Sequence, residues 1–301
     1  MGEWRRPVTV LIIFTWFLLN IVINNLNGWI LKTHGFAYPV TLTTVHMICC
    51  WALSGGCLLS VMRPTDPQPT SAATLRKVRM LSLAFCASVA CGNIALRYIF
   101  VSFSQMVSAA SPLFTMLLSA AMVGKRFSRT AYLSTIPMCG GVMLCTAGEV
   151  NFHVLGFLAI LASTLLRGIK SILQARLLSP EERMDALTLL YHMSRASIAP
   201  LGLYAALVEY PALNDPQLAS ADSFRLWLLI LTSGLISFLL NVCNFLVTKE
   251  TSAVTLQVLG NVKVVFAIAV SLFIFGNRVS SWSVVGCAVT LLGVGIYDRG
   301  K

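Results

Sequence analysis

What this chain has least of is acid. Only 11 Asp and Glu residues occur in 301, and charged residues of both signs make up 11%. No acid falls in the middle of a long apolar run: Glu149, Glu209, Asp215, Asp222 and Glu250 all lie at run ends or in joints. Soluble domains carry about 25% charged residues, so a soluble fold is excluded. A proton-driven carrier usually needs a buried carboxylate relay; proton coupling is therefore disfavoured and exchange of anions favoured. Also missing are a nucleotide-phosphate loop and a cluster of metal-ligand residues, which argues against a pump or a membrane enzyme, and no cofactor is expected. The nine cysteines, at 49, 50, 57, 86, 91, 139, 145, 243 and 287, form no CxxC pair and fall inside apolar stretches. They indicate neither a disulfide framework nor a zinc site and read as small packing residues.

What is present is apolar. Hydrophobic residues make up 57% of the chain and the mean hydropathy is +0.80. Apolar stretches of about 17–25 residues follow one another, broken by short polar joints, which is the pattern of an all-α polytopic membrane protein. Ten spans are predicted, at 8–31, 39–61, 80–98, 101–123, 130–148, 154–177, 186–208, 225–247, 252–275 and 281–297. The first is too long and too rich in Asn for a cleavable signal peptide. The net charge of +11 would suit nucleic acid in a soluble protein, but here its placement says more, and no nucleic-acid partner is expected. With the N-terminus in the cytosol, fourteen of the 22 basic residues fall at cytosolic ends, four at the opposite ends and four inside spans. The positive-inside rule then predicts an even number of spans and both termini in the cytosol.

Polar residues inside the spans are the candidate site. Lys263 stands near the middle of the apolar stretch Thr251–Gly276, where an ionisable group costs roughly 2.5–3.5 kcal/mol and so is expected to face a cavity or an anion. Gly260, Lys263, Ala267 and Ser271 share one helical face with Gln257 at its edge. Arg195, roughly 14 Å into its span, and Lys263, roughly 16 Å into its own, enter from the same side and could flank one anion, with Tyr191 near Arg195. Arg167, roughly 18 Å deep, is a further cavity candidate, whereas Lys170, roughly 22 Å deep, could snorkel to the surface. Asn20, Asn24 and Asn27 form a stripe on the first span that serves either as interhelical glue or as a cavity wall. His46 reads as packed or hydrogen-bonded, with a ligand role as the alternative. Gln105, Ser108, Ser111 and Pro112 lie close together in the fourth span, where the proline frees a backbone carbonyl that side chains or cavity water must satisfy.

A shift of 152 positions lays the ninth span on the fourth without a gap. Phe114 then meets Phe266, Ser119 meets Ser271, Gly124 meets Gly276, Arg126 meets Arg278, Ser128 meets Ser280, Gly141 meets Gly293, and Ser111 meets Lys263. Half of ten spans is five, an odd number, so residues 1–150 and 151–301 are expected to be two five-helix repeats of opposite orientation. Such inverted repeats describe secondary transporters with a site between them near the midplane.

Particular residues also carry a family resemblance over the whole chain. Phe36, Pro39, Thr41 and His46, the run Val101 to Pro112, and Thr251-Ser252-Ala253-Val254-Thr255 with Gly260-Asn261-Val262-Lys263 resemble the nucleotide-sugar and triose-phosphate translocators of the drug/metabolite transporter superfamily. Ala147-Gly148-Glu149, Leu166 to Ser171 and Glu181 to Tyr191 look most like solute carrier family 35, subfamily E. Val285 to Gly293 is similar to plant Golgi UDP-galactose carriers of the family. The resemblance implies ten helices in two inverted repeats, alternating access, and exchange of an anionic sugar conjugate for a nucleoside monophosphate or phosphate. Sugar-phosphate carriers hold phosphate with a lysine in a KAAEP-like pattern and with adjacent Lys-Arg in helix 9; the matching places here are Ser108 and Lys263-Val264. The expected function is a Golgi or other endomembrane nucleotide-sugar antiporter, with a sugar-phosphate or other organic-anion exchanger, or a non-transporting relative of the fold, as alternatives. Lys263 is expected on the phosphate with Arg195 beside it, Tyr191, Asn261 and Gln257 on base or sugar, and Arg167, Ser108, Ser111 and Asn24 around the cavity. The expected partners are the anionic substrate, its counter-substrate and the lipid bilayer, with a homodimer left open.

Overall fold

The computed structural model describes residues 5–32, 36, 38–61, 71–99, 101–146, 153–182, 184–210, 223–275 and 281–299. The proline-rich loop at 62–70, the Ala147-Gly148-Glu149 motif, Asp215, Asp222 and the repeat matches at Gly276, Arg278 and Ser280 lie outside these residues. All regular structure among the described residues is helical: α1 (Arg5–Lys32), α2 (Pro39–Val61), α3 (Ala72–Ala95), α4 (Val101–Ser108), α5 (Ser111–Val123), α6 (Arg129–Leu133), α7 (Thr135–Thr146), α8 (Val154–Leu177), α9 (Ala186–Val208), α10 (Ser223–Glu250), α11 (Ala253–Phe275) and α12 (Ser281–Arg299). Five helical stretches, Pro7–Leu31, Pro39–Leu59, Ala72–Ala95, Val154–Leu177 and Phe224–Glu250, are long and apolar enough to cross a membrane; Ser111–Val123 and Ala253–Val265 are shorter apolar helices. Large apolar side chains such as Leu59, Leu207 and Phe224 stand exposed, as suits helices that meet lipid rather than water. The chain is an integral membrane protein.

Over the described residues the predicted spans fall mainly on helix, with 96–98 a turn after α3; two of them are broken, each break four residues before a proline. Proline lacks the N–H that would serve the carbonyl four residues back, and its ring clashes with that carbonyl. Pro112 therefore ends α4 at Ser108, and Pro137 stands four residues after Leu133, where α6 ends. The α5–α6 connection is a closed cap. Gly124 adopts φ +69°, a left-handed value that glycine tolerates best, and its N–H and that of Lys125 bond the carbonyls of Ala120 and Ser119. Ser128 then caps α6 by accepting from Ala131 N at 3.1 Å.

The helices pack as two compact units, each drawing on both halves of the chain. Unit 1 holds Met1–Cys86 and Leu173–Glu250; unit 2 holds Ala87–Ile172 and Thr251–Lys301. In unit 1, α2 packs on α9 in a reciprocal way. A Cβ on Gly55 would come within 3.2 Å of the Tyr191 ring, and one on Gly202 within 3.9 Å of Thr44; adding 147 to 44 and 55 gives 191 and 202. The same shift carries the bounds of α2 onto those of α9. Glu209, just past α9, fastens the other end of the pair. Its carboxylate accepts from Val40 N at 2.9 Å and from Thr41 N and Thr41 Oγ1 at 2.8 Å each. That satisfies two of the orphan donors at the start of α2 with a charge of the favourable sign. His46 is buried and bonds Ser233 Oγ at 2.9 Å, a packed role rather than an open one. The asparagine stripe does not act as one surface. Asn20 is buried and donates to Trp16 O on its own helix at 2.7 Å, whereas Asn24 is exposed.

Unit 2 has its own reciprocal contact, between α7 and α12. A Cβ on Gly141 would strike Thr290 and lie 2.5 Å from Gly286 O, and one on Gly293 would lie 2.7 Å from Met138 N and 3.0 Å from Ser134 O. Adding 152 to 134, 138 and 141 gives 286, 290 and 293. Reciprocity at a fixed shift thus holds for α7 and α12, as it does for α2 and α9. Here only glycine allows the two backbones to come this close.

Candidate functional site

The polar side chains of unit 2 gather where the α4–α5 break faces α8 and α11. The break supplies two carbonyls that a continuous helix would have used internally. Ser111 Oγ donates to Ser108 O, the acceptor that Pro112 leaves open. Ala109 O accepts from Asn261 Nδ2 at 2.9 Å and from Cys139 Sγ at 3.4 Å. Side chains thus satisfy the freed backbone, as a kink inside a membrane requires. Asn261, 5% exposed, sits 152 positions after Ala109, the shift that lays the ninth predicted span on the fourth.

From α8, Arg167 reaches the same spot. Its Nη2 donates to Ser108 Oγ at 2.9 Å, while its Nε is buried and makes no hydrogen bond among the described residues. The charge of Arg167 is felt by both Lys170 and Lys263. All three side chains are half-buried. Among the described residues of unit 2 the only carboxylate side chain is that of Asp298, in the last turn of α12. A guanidinium whose charge acts on two lysines forms a setting that a bound anion relieves. One turn away, Gln257 Nε2 donates to Ser171 Oγ at 2.7 Å and ties α11 to α8.

Of the residues expected at the site, Lys263, Arg167, Ser108, Ser111, Asn261 and Gln257 therefore belong to one linked region. Tyr191, Arg195 and Asn24 belong to unit 1. There Tyr191 packs on Gly55 and meets His192 edge to face with ring centroids 5.2 Å apart, and Arg195 and Asn24 are exposed. Asn261 and Gln257 each commit one amide N–H to a protein partner, which ties α11 to the α4–α5 break and to α8. Sequence reasoning passed over Lys170, read as snorkelling, and Ser171. The available signal was spacing, since both lie three or four residues after Arg167 and so beside it on the helix.

Comparison with known proteins fits this picture. Residues 8–298 match the model of the Triose-phosphate Transporter family. A probable sugar phosphate/phosphate translocator of Arabidopsis thaliana is 37% identical over 100% of this chain and 98% of its own. The UDP-uronic acid transporter 1 of Arabidopsis thaliana is 36% identical over 96% of this chain and 94% of its own. Human solute carrier family 35 member E4 is 38% identical over 99% of this chain and 81% of its own. A crystal structure with 18% sequence identity superposes with a TM-score of 0.70, covering 97% of this chain and 96% of that one, so the fold is shared. By the family match over nearly its whole length and by these relatives, the chain belongs to the Triose-phosphate Transporter family, a family of membrane transporters rather than enzymes.

Proposed function

We propose that the chain is a secondary-active antiporter that exchanges a nucleotide sugar for a nucleoside monophosphate, gripping the phosphate at the α4–α5 break with Arg167 and Lys263. The observation that carries this reading is the bond from Arg167 to Ser108. Where similar sugar-phosphate carriers have a lysine, this chain has a serine, and a guanidinium from α8 stands beside it instead. Arginine offers a planar fork of donors suited to phosphate oxygens, and Lys263 adds a point charge. The UDP-uronic acid relative supports a nucleotide-sugar cargo.

The same proposal takes the helices as ten spans in two inverted repeats, with both termini cytosolic and the protein in the Golgi or another endomembrane. The reciprocal contacts at shifts of 147 and 152 support the repeats. An axis relating inverted repeats lies in the membrane plane. The bond between the equivalent places Ala109 and Asn261 would then mark the midplane, two residues from both Ser111 and Lys263. A second reading, exchange of a sugar phosphate for phosphate, draws on the same Arg167 contact, because it restores a cation that the substitution to Ser108 removes, and on the sugar-phosphate relative. Purified protein in liposomes preloaded with nucleoside monophosphate or with phosphate separates the two. The proposal expects labelled nucleotide-sugar uptake only against internal monophosphate. Uptake of triose phosphate against phosphate alone would favour the second reading, and no exchange under any loading would refute both.

A further inference from the structure

Buried hydroxyls inside the helices of this protein have a regular habit: they donate to the carbonyl one turn back. Ser54 does so to Cys50, Thr164 to Ile160, Ser197 to Met193 and Thr290 to Gly286. Such bonds remove the cost of burying the group. Thr115, on α5 and 0% exposed, departs from the habit. Its Oγ1 makes no hydrogen bond among the described residues. The hydroxyl is turned toward α8, where Gly168 leaves room for it; a Cβ at Gly168 would lie 3.2 Å from Thr115 Oγ1. The residue before Gly168 is Arg167, whose Nε is also buried without a partner. Two buried donors that make no hydrogen bond among the described residues, one neutral and one charged, thus belong to facing helices where Gly168 of α8 meets Thr115 of α5.

We propose that Thr115 Oγ1 and Arg167 Nε donate to the same phosphate group of the transported anion, which makes Thr115 a specificity-determining residue of the site. The inference rests on the reading of Arg167 and Lys263 as a phosphate site. It adds a contact from a hydroxyl deep in α5, below the break, and it explains why a threonine is turned away from its own helix. A neutral hydroxyl beside a guanidinium and an ammonium completes a donor set that suits an oxyanion.

The test is thermal unfolding of the purified full-length protein, titrated with uridine monophosphate and with inorganic phosphate, for the wild type, Thr115→Val, Thr115→Ser and Lys263→Ala. Thr115→Val keeps the shape and removes the hydroxyl. It is expected to raise the midpoint of the ligand-free protein and to weaken uridine monophosphate binding about tenfold, the size of one hydrogen bond to a charged group. Thr115→Ser should bind within about twofold of the wild type. Wild-type binding by Thr115→Val, with loss of binding in Lys263→Ala, would overturn this inference alone and assign the hydroxyl to a buried water. A lowered ligand-free midpoint in Thr115→Val would make Thr115 structural and overturn it as well. A wild type that binds neither probe would overturn the phosphate site and this contact together.

Discussion

Lys263 and Arg167 were legible from the sequence because a cation in a long apolar run is costly enough to need a reason. Thr115 was not legible. A hydroxyl in a helix is ordinarily satisfied by its own backbone, and only the fold shows that this one is not. Glu209 is a third case. Its place at a span end gave no hint that it would be buried, at 8% exposure, against the start of α2. Both its oxygens accept from donors, so Glu209→Gln would set an amide N–H group against a backbone N–H. The expected cost is about 1–3 kcal/mol of stability, read as a lowered unfolding midpoint with substrate affinity little changed. A midpoint equal to that of the wild type would show that the clamp carries no stability. The expected pairing of Arg195 with Lys263 rests on equal depth and on entry from the same side; Arg195 belongs to unit 1 and Lys263 to unit 2. Within unit 2, Lys263 has Arg167 as a cationic neighbour.

At the level of elements, helix positions followed from apolar run length, and the bounds of α2, α8 and α9 match the expectation. The breaks at Ser108 and Leu133 each lie four residues before a proline, but Pro200 stands inside the unbroken α9, so proline spacing alone does not place them. Unexpected is the tether between the loop after α8 and the start of α3. Lys77 Nζ bonds Glu182 Oε1, and Thr74 Oγ1 donates to Glu182 Oε2 at 3.1 Å. These partners lie 105 and 108 positions away from Glu182, beyond the reach of any local pattern. The hydrogen bond from Lys77 holds the Glu182 carboxyl below the usual carboxylate range, with help from Thr74 and the charges of Lys77 and Arg176. A depressed folded-state value means that the stabilisation is fully present above the ordinary pKa of about 4.3 and is lost as pH falls through the depressed value. The difference in unfolding midpoint between wild type and Glu182→Gln should be constant at neutral pH and shrink on acidification below about pH 4. A difference independent of pH would show that the charge of Glu182 plays no part.

At the scale of the whole molecule, the proposed repeat rests in the sequence on matches at a shift of 152 on the fourth, fifth, ninth and tenth predicted spans. For α2 and α9 the proposed relation is a shift of 147, supported by Gly55 on Tyr191 and Gly202 near Thr44. The two packing units could not be foreseen, because each takes helices from both halves of the chain. The central claim is that one anion is held at once by Arg167 and Lys263. It is tested most directly by the apparent affinity for uridine monophosphate in wild type, Arg167→Met, Lys263→Ala and the double variant, a double-mutant cycle. The account predicts that either single change weakens binding at least tenfold and that the double variant binds little worse than the weaker single, because both charges act on one group. Losses that simply add, or a single variant that binds like the wild type, would contradict it.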